Sequence, residues 1–311
     1  MTQQTIILPT PATPIAPPAP GRKFSPAKLL LTPSVAMLGL WMIVPLVMTL
    51  YFSVIRYNLL SPDQTGFVGL DNYRYLLEDP AFWPSIGHTL VLIVSVLLIS
   101  VVGGTLMAVL FDQKFPGRGI ARLFVIAPFF VMPTVGALIW KNMILHPVYG
   151  LWSHLFRLVG LEPIDWLADY PLWSIIVMVA WQWTPFAFLI LLTSLQSLDQ
   201  EQREAAQLDG AGPVRIFIHI TLPHLKRAIA VVVMIESIFL LSIFAEIFTA
   251  TAGGPGTETT NLPYLVYSIG LQQFDIGIAS AGGVIAVILA NIVSIFLVRM
   301  LAKNLRGEYD Q

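Results

Sequence analysis

The chain has no cysteine and no glycine followed by lysine, and none of the long apolar runs assigned below holds a lysine or arginine in its interior. Without cysteine, neither a disulfide nor a thiolate metal site is possible, and the redox compartment is unreadable. Without Gly-Lys there is no G-x-x-x-x-G-K-[ST] phosphate loop, so the chain does not hydrolyse ATP itself. Charged residues make up 11% of the chain, against roughly a quarter in soluble globular proteins. The five histidines are scattered without ligand spacing. Only His88 touches a span, at the rim of the second, where it reads as an interfacial polar group. No span offers the nucleophile and partnered base that an intramembrane protease needs. A net charge of −1 gives no sign of a nucleic-acid partner.

What is abundant is apolar: 56% of the 311 residues are hydrophobic. A transmembrane helix needs about 20 consecutive apolar residues, and six stretches qualify, at about 29–54, 86–111, 122–140, 172–196, 228–249 and 277–299. The fold class is therefore an all-α polytopic membrane protein with six transmembrane helices. Ahead of them, residues 1–28 form a Pro-rich tail whose composition cannot bury a core. It is not read as a signal peptide, because Arg22, Lys23 and Lys28 follow the prolines and directly precede a full-length span. The six-span domain is 29–303, and 304–311 is a second tail.

Basic residues set the orientation, since cytoplasmic loops hold the excess. With the N-terminus inside, Arg22, Lys23, Lys28, Lys114, Arg118, Arg122, Arg203, Arg215, Lys226, Arg227, Arg299, Lys303 and Arg306 are cytoplasmic, leaving Arg56, Arg74, Lys141 and Arg157 outside. Both termini are thus expected in the cytoplasm. Trp83, Trp140, Trp152, Trp166 and Trp173 fall in or beside the outer loops, as interfacial anchors do. Those loops are too short to form a domain that captures solute. Within the spans, Gly282, Ala286, Ala290 and Ser294 recur every four residues, and Gly103-Gly104 interrupts the second; both permit close helix approach. Pro45, Pro128, Pro133 and Pro185 should kink or break their helices. The spans do not divide into two matching halves with paired interruptions, as in many secondary transporters.

Between the fourth and fifth spans lies a charged island that reads as a cytoplasmic helix-turn-helix. Asp199 can cap a first short helix with Gln202 in capping-box position, Gly210 can take the left-handed turn that ends it, and Pro213 suits the start of a second. In that second helix Val214, Phe217, Ile218 and Thr221 share one face, expected to pack, while Arg215 and His219 share another, expected to be wet. The island's wording, Glu204-Ala205-Ala206, Gly210, Ile220 and Leu222-Pro223 with Asp209 before the turn, closely resembles the signature loop of binding-protein-dependent ABC importer permeases. Arg227 departs from it, standing where many sugar-type members carry a second proline. The segment Thr251, Gly253, Gly254, Pro255 and Thr259 is similar to one in the carbohydrate (maltose-type) branch. The stretches Phe244-Ala245-Glu246-Ile247-Phe248, Asn261-Leu262-Pro263-Tyr264 and Gln273-Phe274-Asp275 look like its sorbitol and mannitol members.

The resemblance implies a transport subunit of the cytoplasmic (inner) membrane, surrounded by lipid. It implies pairing with a homologous second permease subunit, two ABC ATPase subunits that bind ATP and magnesium, and an extracytoplasmic solute-binding protein. This chain itself then needs no cofactor or metal. It makes Glu204, Ala205, Ala206, Asp209, Gly210, Ile220, Leu222 and Pro223 the ATPase-coupling loop. The alternative is a stand-alone six-span facilitator or scaffold in which the island is only a connector.

With no cation inside a span, an anionic solute would lack a partner at midplane. Aromatic faces and polar acceptors suit a neutral sugar or polyol. Glu246, Glu236, Gln182, Trp183 and Thr184 are the pathway candidates. Trp181 and Trp183 point some 200° apart at about 100° per residue, so at most one faces a pathway. Glu236 has two readings, a pathway group or a protonated acid bonded within the bundle.

Overall fold

A computed structural model describes residues 26–306. The Pro-rich tail lies outside the described residues apart from 26–28, which open the first helix, and the C-terminal tail does so beyond 306. Helix α1 runs Pro26–Ser53 and is followed by a two-residue antiparallel pair, β1 (Ile55–Arg56) with β2 (Gly66–Phe67). Then come α2 (Asp71–Glu78), α3 (Phe82–Asp112), α4 (Arg118–Ile126), α5 (Pro133–Leu138), α6 (Leu151–Leu158), α7 (Trp166–Asp169) and α8 (Pro171–Gln196). They are followed by α9 (Gln200–Leu208), α10 (Pro213–Ile216), α11 (Leu222–Leu240), α12 (Ala245–Ala250), α13 (Leu262–Tyr267) and α14 (Ile276–Arg306).

The chain divides after Val47 into two units. In the first, Leu38, Trp41 and Met42 stand exposed along α1, as apolar side chains can where the solvent is lipid tails. The second unit holds the helix bundle.

Five helices are long and apolar enough to cross a membrane: Leu30–Ser53, Phe82–Asp112, Pro171–Gln196, Pro213–Leu240 and Ile276–Phe296. A sixth crossing exists if Arg118–Phe130 and Pro133–Ile144, which meet at 103°, are taken as one. So the third expected span, 122–140, is not one rod. The cause is local: Pro128 and Pro133 each remove an amide donor, and Val131 between them turns extended. The fifth, 228–249, is also interrupted. Its helix runs on only to Leu240 and begins far earlier, at Pro213, through a π-helical turn at Phe217–Thr221. The expected entry between loop and span is therefore continuous helix, and Glu246 falls beyond the break, on α12. By contrast Pro185 lies within a helix that continues past it.

Close packing follows the small residues. A Cβ on Gly104 would stand 2.8 Å from Ala187 Cβ and 2.9 Å from the Phe188 amide nitrogen, so α3 and α8 touch backbone to side chain. Gly282 likewise admits Val266, whose Cγ2 would be 2.8 Å from an added Cβ. Ala286 packs at the edge of the cluster formed by Leu76, Phe82, Leu262 and Leu265, whereas Ala290 and Ser294 further along are half-buried. One larger core joins Leu92, Val96, Ile176, Val179, Leu240 and Ile247, and another Phe111, Phe188, Leu191, Leu225 and Val232. The start of α14 is held against the β1 strand: Ile276 and Gly277 amides both donate to Tyr57 O, and Asn72 Nδ2 donates to Ser53 O and Ile55 O.

Two glycines of one helix give a matched test. Gly104→Ala forces α3 and α8 apart and should cost about 1–3 kcal/mol, read as a lower melting temperature of the purified chain. Gly87→Ala, whose added methyl meets nothing within 4 Å, should leave the melting temperature unchanged or raise it.

Candidate functional site

The island between the fourth and fifth spans folds as its sequence suggests. Asp199 is extended and its carboxylate accepts from the Glu201 amide at 3.0 Å, opening α9. Gly210 ends the turn in the left-handed region (φ +76°), which glycine adopts at no steric cost. Pro213 is the first residue of α10.

What differs is the face that packs. Thr221 is buried and Phe217 half-buried, but Val214 is 71% and Ile218 50% exposed, and Leu208 at the tip of α9 is 89% exposed. Glu204, Ala205, Asp209 and Gly210 are exposed too, and Ala206 and Ile220 half-buried. Glu204 Oε1 accepts from Gln200 Nε2 at 2.8 Å, a bond within one helix face that leaves its other oxygen unengaged by it. Leu222 and Pro223 open α11, the first exposed and the second half-buried. The loop thus presents a carboxylate flanked by small and apolar side chains.

Two contacts anchor the loop, and neither was singled out from the sequence. Arg203 Nη1 meets Asp112 Oδ2 at 2.7 Å, joining α9 to the last residue of α3. His224 Nε2 lies 2.9 Å from Ser194 O and 3.3 Å from Ser197 Oγ, joining α11 to the end of α8. Arg203 had registered only as a positive charge marking a side, and His224 only as one of five scattered histidines.

The pathway candidates separate. Gln182 is buried and its Nε2 donates to Val131 O at 2.8 Å, the carbonyl exposed where the third crossing breaks. Thr184 Oγ1 donates to Ala180 O at 2.6 Å, and its methyl would lie 3.4 Å from a Cβ on Gly103. Both thus bond backbone carbonyls of the bundle. Trp183 sits among Phe129, Phe186 and Phe239, with ring centroids 5.3–6.1 Å away. Trp181 points elsewhere, to Trp140 at 5.9 Å. Glu236 is fully buried on α11, where its Oε2 accepts from Ser100 Oγ of α3, while Oε1 has no partner among the described residues. Glu246 is 3% exposed in the first turn of α12, which packs on α5 and α8. Lys141 lies on the second arm of the broken crossing, near that helix's end, and its Nζ donates to Thr249 O of α12 at 3.4 Å.

The Gly-Gly-Pro segment is a closed structural turn. Gly253 (φ +83°) lies against Tyr264, whose ring would be 2.5 Å from an added Cβ. Tyr264 OH donates to Ala252 O, Thr260 Oγ1 to Gly253 O and Thr259 Oγ1 to Gly254 O. Asn261, just after, donates from Nδ2 to Ile243 O at 2.6 Å, the carbonyl of the second break.

Broken apolar helices around a buried carboxylate, with a two-helix loop anchored to two spans, define a transport-type membrane subunit rather than an enzyme. Known proteins agree with this class. Residues 100–307 match the family described as the binding-protein-dependent transport system inner membrane component, and the chain belongs to that family. It is 37% identical over 251 residues to a probable ABC transporter permease protein of Sinorhizobium fredii, covering 80% of this chain and 81% of that one. It is 32% identical to the trehalose/maltose transport system permease protein of Thermococcus litoralis, over 86% of this chain and 91% of that one. Its fold is similar to a chain of a bacterial ABC transporter involved in import of the acidic polysaccharide alginate, with TM-score 0.75, 22% identity, and 89% and 95% of the two chains covered. The subunit is not an enzyme, ATP hydrolysis in such transporters falling to separate subunits.

Removing the amide from Gln182 should unsettle the break. Gln182→Leu leaves Val131 O unsatisfied and should cost about 1–3 kcal/mol, seen as a lower melting temperature before any change in solute preference. A variant with unaltered melting but lost uptake would return Gln182 to the pathway.

Proposed function

We propose that this chain is the membrane subunit of an ATP-driven importer, moving a neutral sugar or polyol from an extracytoplasmic binding protein into the cytoplasm. The observation that carries the coupling half is the 199–223 loop: Glu204, Leu208, Val214 and Ile218 stand exposed on a helix pair anchored at both ends. Apolar side chains exposed beside a carboxylate suit a protein partner rather than water. In this reading the loop lies in the cytoplasm, as do both termini, and docks into one of two ABC ATPases, with a second, homologous permease subunit completing the complex. ATP closes the ATPase pair, the loop moves with it, and the spans open outward to receive solute.

The solute half rests on charge and aromatic surface. Of the cations on the apolar helices, Arg118, Arg122, Lys141 and Arg215 lie towards helix ends, whereas Lys226 and Arg227 fall midway along Pro213–Leu240, in the first turns of α11; unpaired charge deep in a membrane costs several kcal/mol. Phe129, Trp183, Phe186 and Phe239 form one aromatic group, part of it exposed, of the kind on which C–H faces of a sugar stack. The names of relatives agree on sugar-type solutes and divide on charge: one is a trehalose/maltose permease, while others are named for sulfoquinovosyl glycerol and sn-glycerol-3-phosphate, so neutrality rests on the side chains of this chain. Glu246, buried on α12, is the acceptor in this reading.

Two tests follow. Glu204→Ala should leave folding within about 0.5 kcal/mol of the parent yet cost about 2 kcal/mol or more of docking, roughly thirtyfold in affinity. Gly210→Pro, which cannot adopt the left-handed turn, should do at least as much. The readout is binding-protein-stimulated ATPase and transport in the assembled complex; both at parental level would leave the loop a mere connector. For the solute, Glu246→Gln should impair uptake of a linear polyol or small sugar in an assembled complex. Robust transport of an inorganic anion would contradict neutrality.

A further inference from the structure

The Arg203–Asp112 pair joins two elements that sequence separates by 91 residues. Asp112 is the final residue of a 31-residue helix. A carboxylate there faces the negative end of the helix dipole and the unpaired carbonyls of the last turn, an unfavourable place for an anion. The structure surrounds it with guanidinium. Arg118 Nη1 reaches Phe111 O, Asp112 O and Gln113 O at 3.3–3.4 Å, capping the helix end. Arg203 Nη1 takes the side chain itself. Side-chain exposures of 28% for Arg203 and 20% for Asp112 set this pair apart from an exposed ion pair such as Arg74–Glu78 at 76% and 60%, whose kind contributes little to stability. Arg203 also directly precedes Glu204, and both line a cleft of about 630 Å³ with Asp112, Gln113 and Lys114.

From α3 the contact extends the length of the bundle, because α3 lies backbone-close to α8 at Gly104 and bonds α11 through Ser100 and Glu236. The second helix of the loop reaches α8 separately, through His224. Each half of the loop therefore grips a different span.

We infer that Arg203 and Asp112 are positioning residues for energy coupling: the pair is a strut that transmits displacement of α9 to α3, so that α3 and α8 move as a unit when the loop moves. This rests on the coupling role given above to the loop, and it adds which span receives the motion and through which side chains. The strut must hold through the cycle rather than open in it, since a contact that broke when α9 moved would transmit nothing.

The test is a charge exchange in the complete transporter. Arg203→Asp and Asp112→Arg alone should each lower binding-protein-stimulated ATPase and transport roughly tenfold, within the range of measured coupling energies, with unstimulated ATPase and assembly retained. The double exchange should restore both to within about twofold, as reciprocal coupling requires. Full coupling in either single variant, or a double no better than the singles, overturns the strut. Should a reversal prevent assembly, the absence of native cysteine allows Arg203→Cys with Asp112→Cys, bridged by a short bifunctional thiol reagent in a complex otherwise freed of cysteine. Unbridged, this pair should be uncoupled; bridged, it should transport. Transport abolished by the bridge, or unaffected by its absence, also overturns the proposal. Glu204→Ala separates the two ideas: if it uncouples while the 203 and 112 variants do not, the loop couples but by another route; if none of them uncouples, the loop itself is not the coupler.

Discussion

Backbone carbonyls freed by a broken helix at membrane depth have no water to turn to, and each left bare costs several kcal/mol. The whole arrangement depends on how this chain meets that constraint. The third crossing bends by 103° and the helix of the fifth ends at Leu240. At each break a side-chain amide from a distant part of the chain supplies the missing donor, Gln182 for Val131 O and Asn261 for Ile243 O. An amide can do this without carrying charge into the membrane, which a lysine or arginine could not. The Gly-Gly-Pro turn serves the same end, since its threonines and Tyr264 close the carbonyls of residues 252–254 so that irregular backbone can lie against the bundle.

Breaks held by single side-chain bonds are natural places for a bundle to change shape. A helix interior is fixed by a ladder of bonds, whereas a break turns on a few residues that can absorb changes in φ and ψ. Just past each break lie α5 and α12, packed together, with Lys141 beyond α5 donating to Thr249 O of α12. Glu246 is carried by α12, and both short helices pack on α8, to which, with α3, the 199–223 loop is tied. The 199–223 loop is thus tied to long spans, while the buried carboxylate of Glu246 lies on a short segment beyond a break.

Much of this was legible in residues read one stretch at a time. Apolar runs marked the crossings, Asp199, Gly210 and Pro213 marked the loop's helix ends, and Gly103-Gly104 marked a close approach, because each depends on neighbours in sequence. The failures have one physical source. Whether Pro128 with Pro133 breaks a helix while Pro185 does not depends on what stands opposite, and the donor for Val131 O is 51 residues away. Gln182 was read as a pathway residue, and its bond to Val131 O is a further role that no neighbour in sequence signals. Val214 and Ile218 share a helical face with Thr221, but helical periodicity cannot say whether that face is covered by this chain or left for another. Arg203 and Asp112 gave no local signal at all, being ordinary charges near span ends.

The proposal that this loop docks on an ATPase is tested most directly by placing a single thiol at its most exposed apolar position. In a chain without cysteine, Leu208→Cys carries the only one, and in membranes holding the full transporter a short thiol-to-amine cross-linker should join this chain to the ATPase subunit, with the yield changing when ATP is trapped. A thiol at 208 that labels fully with small reagents yet never joins an ATPase, in an assembled and active transporter, would contradict the docking role of the loop.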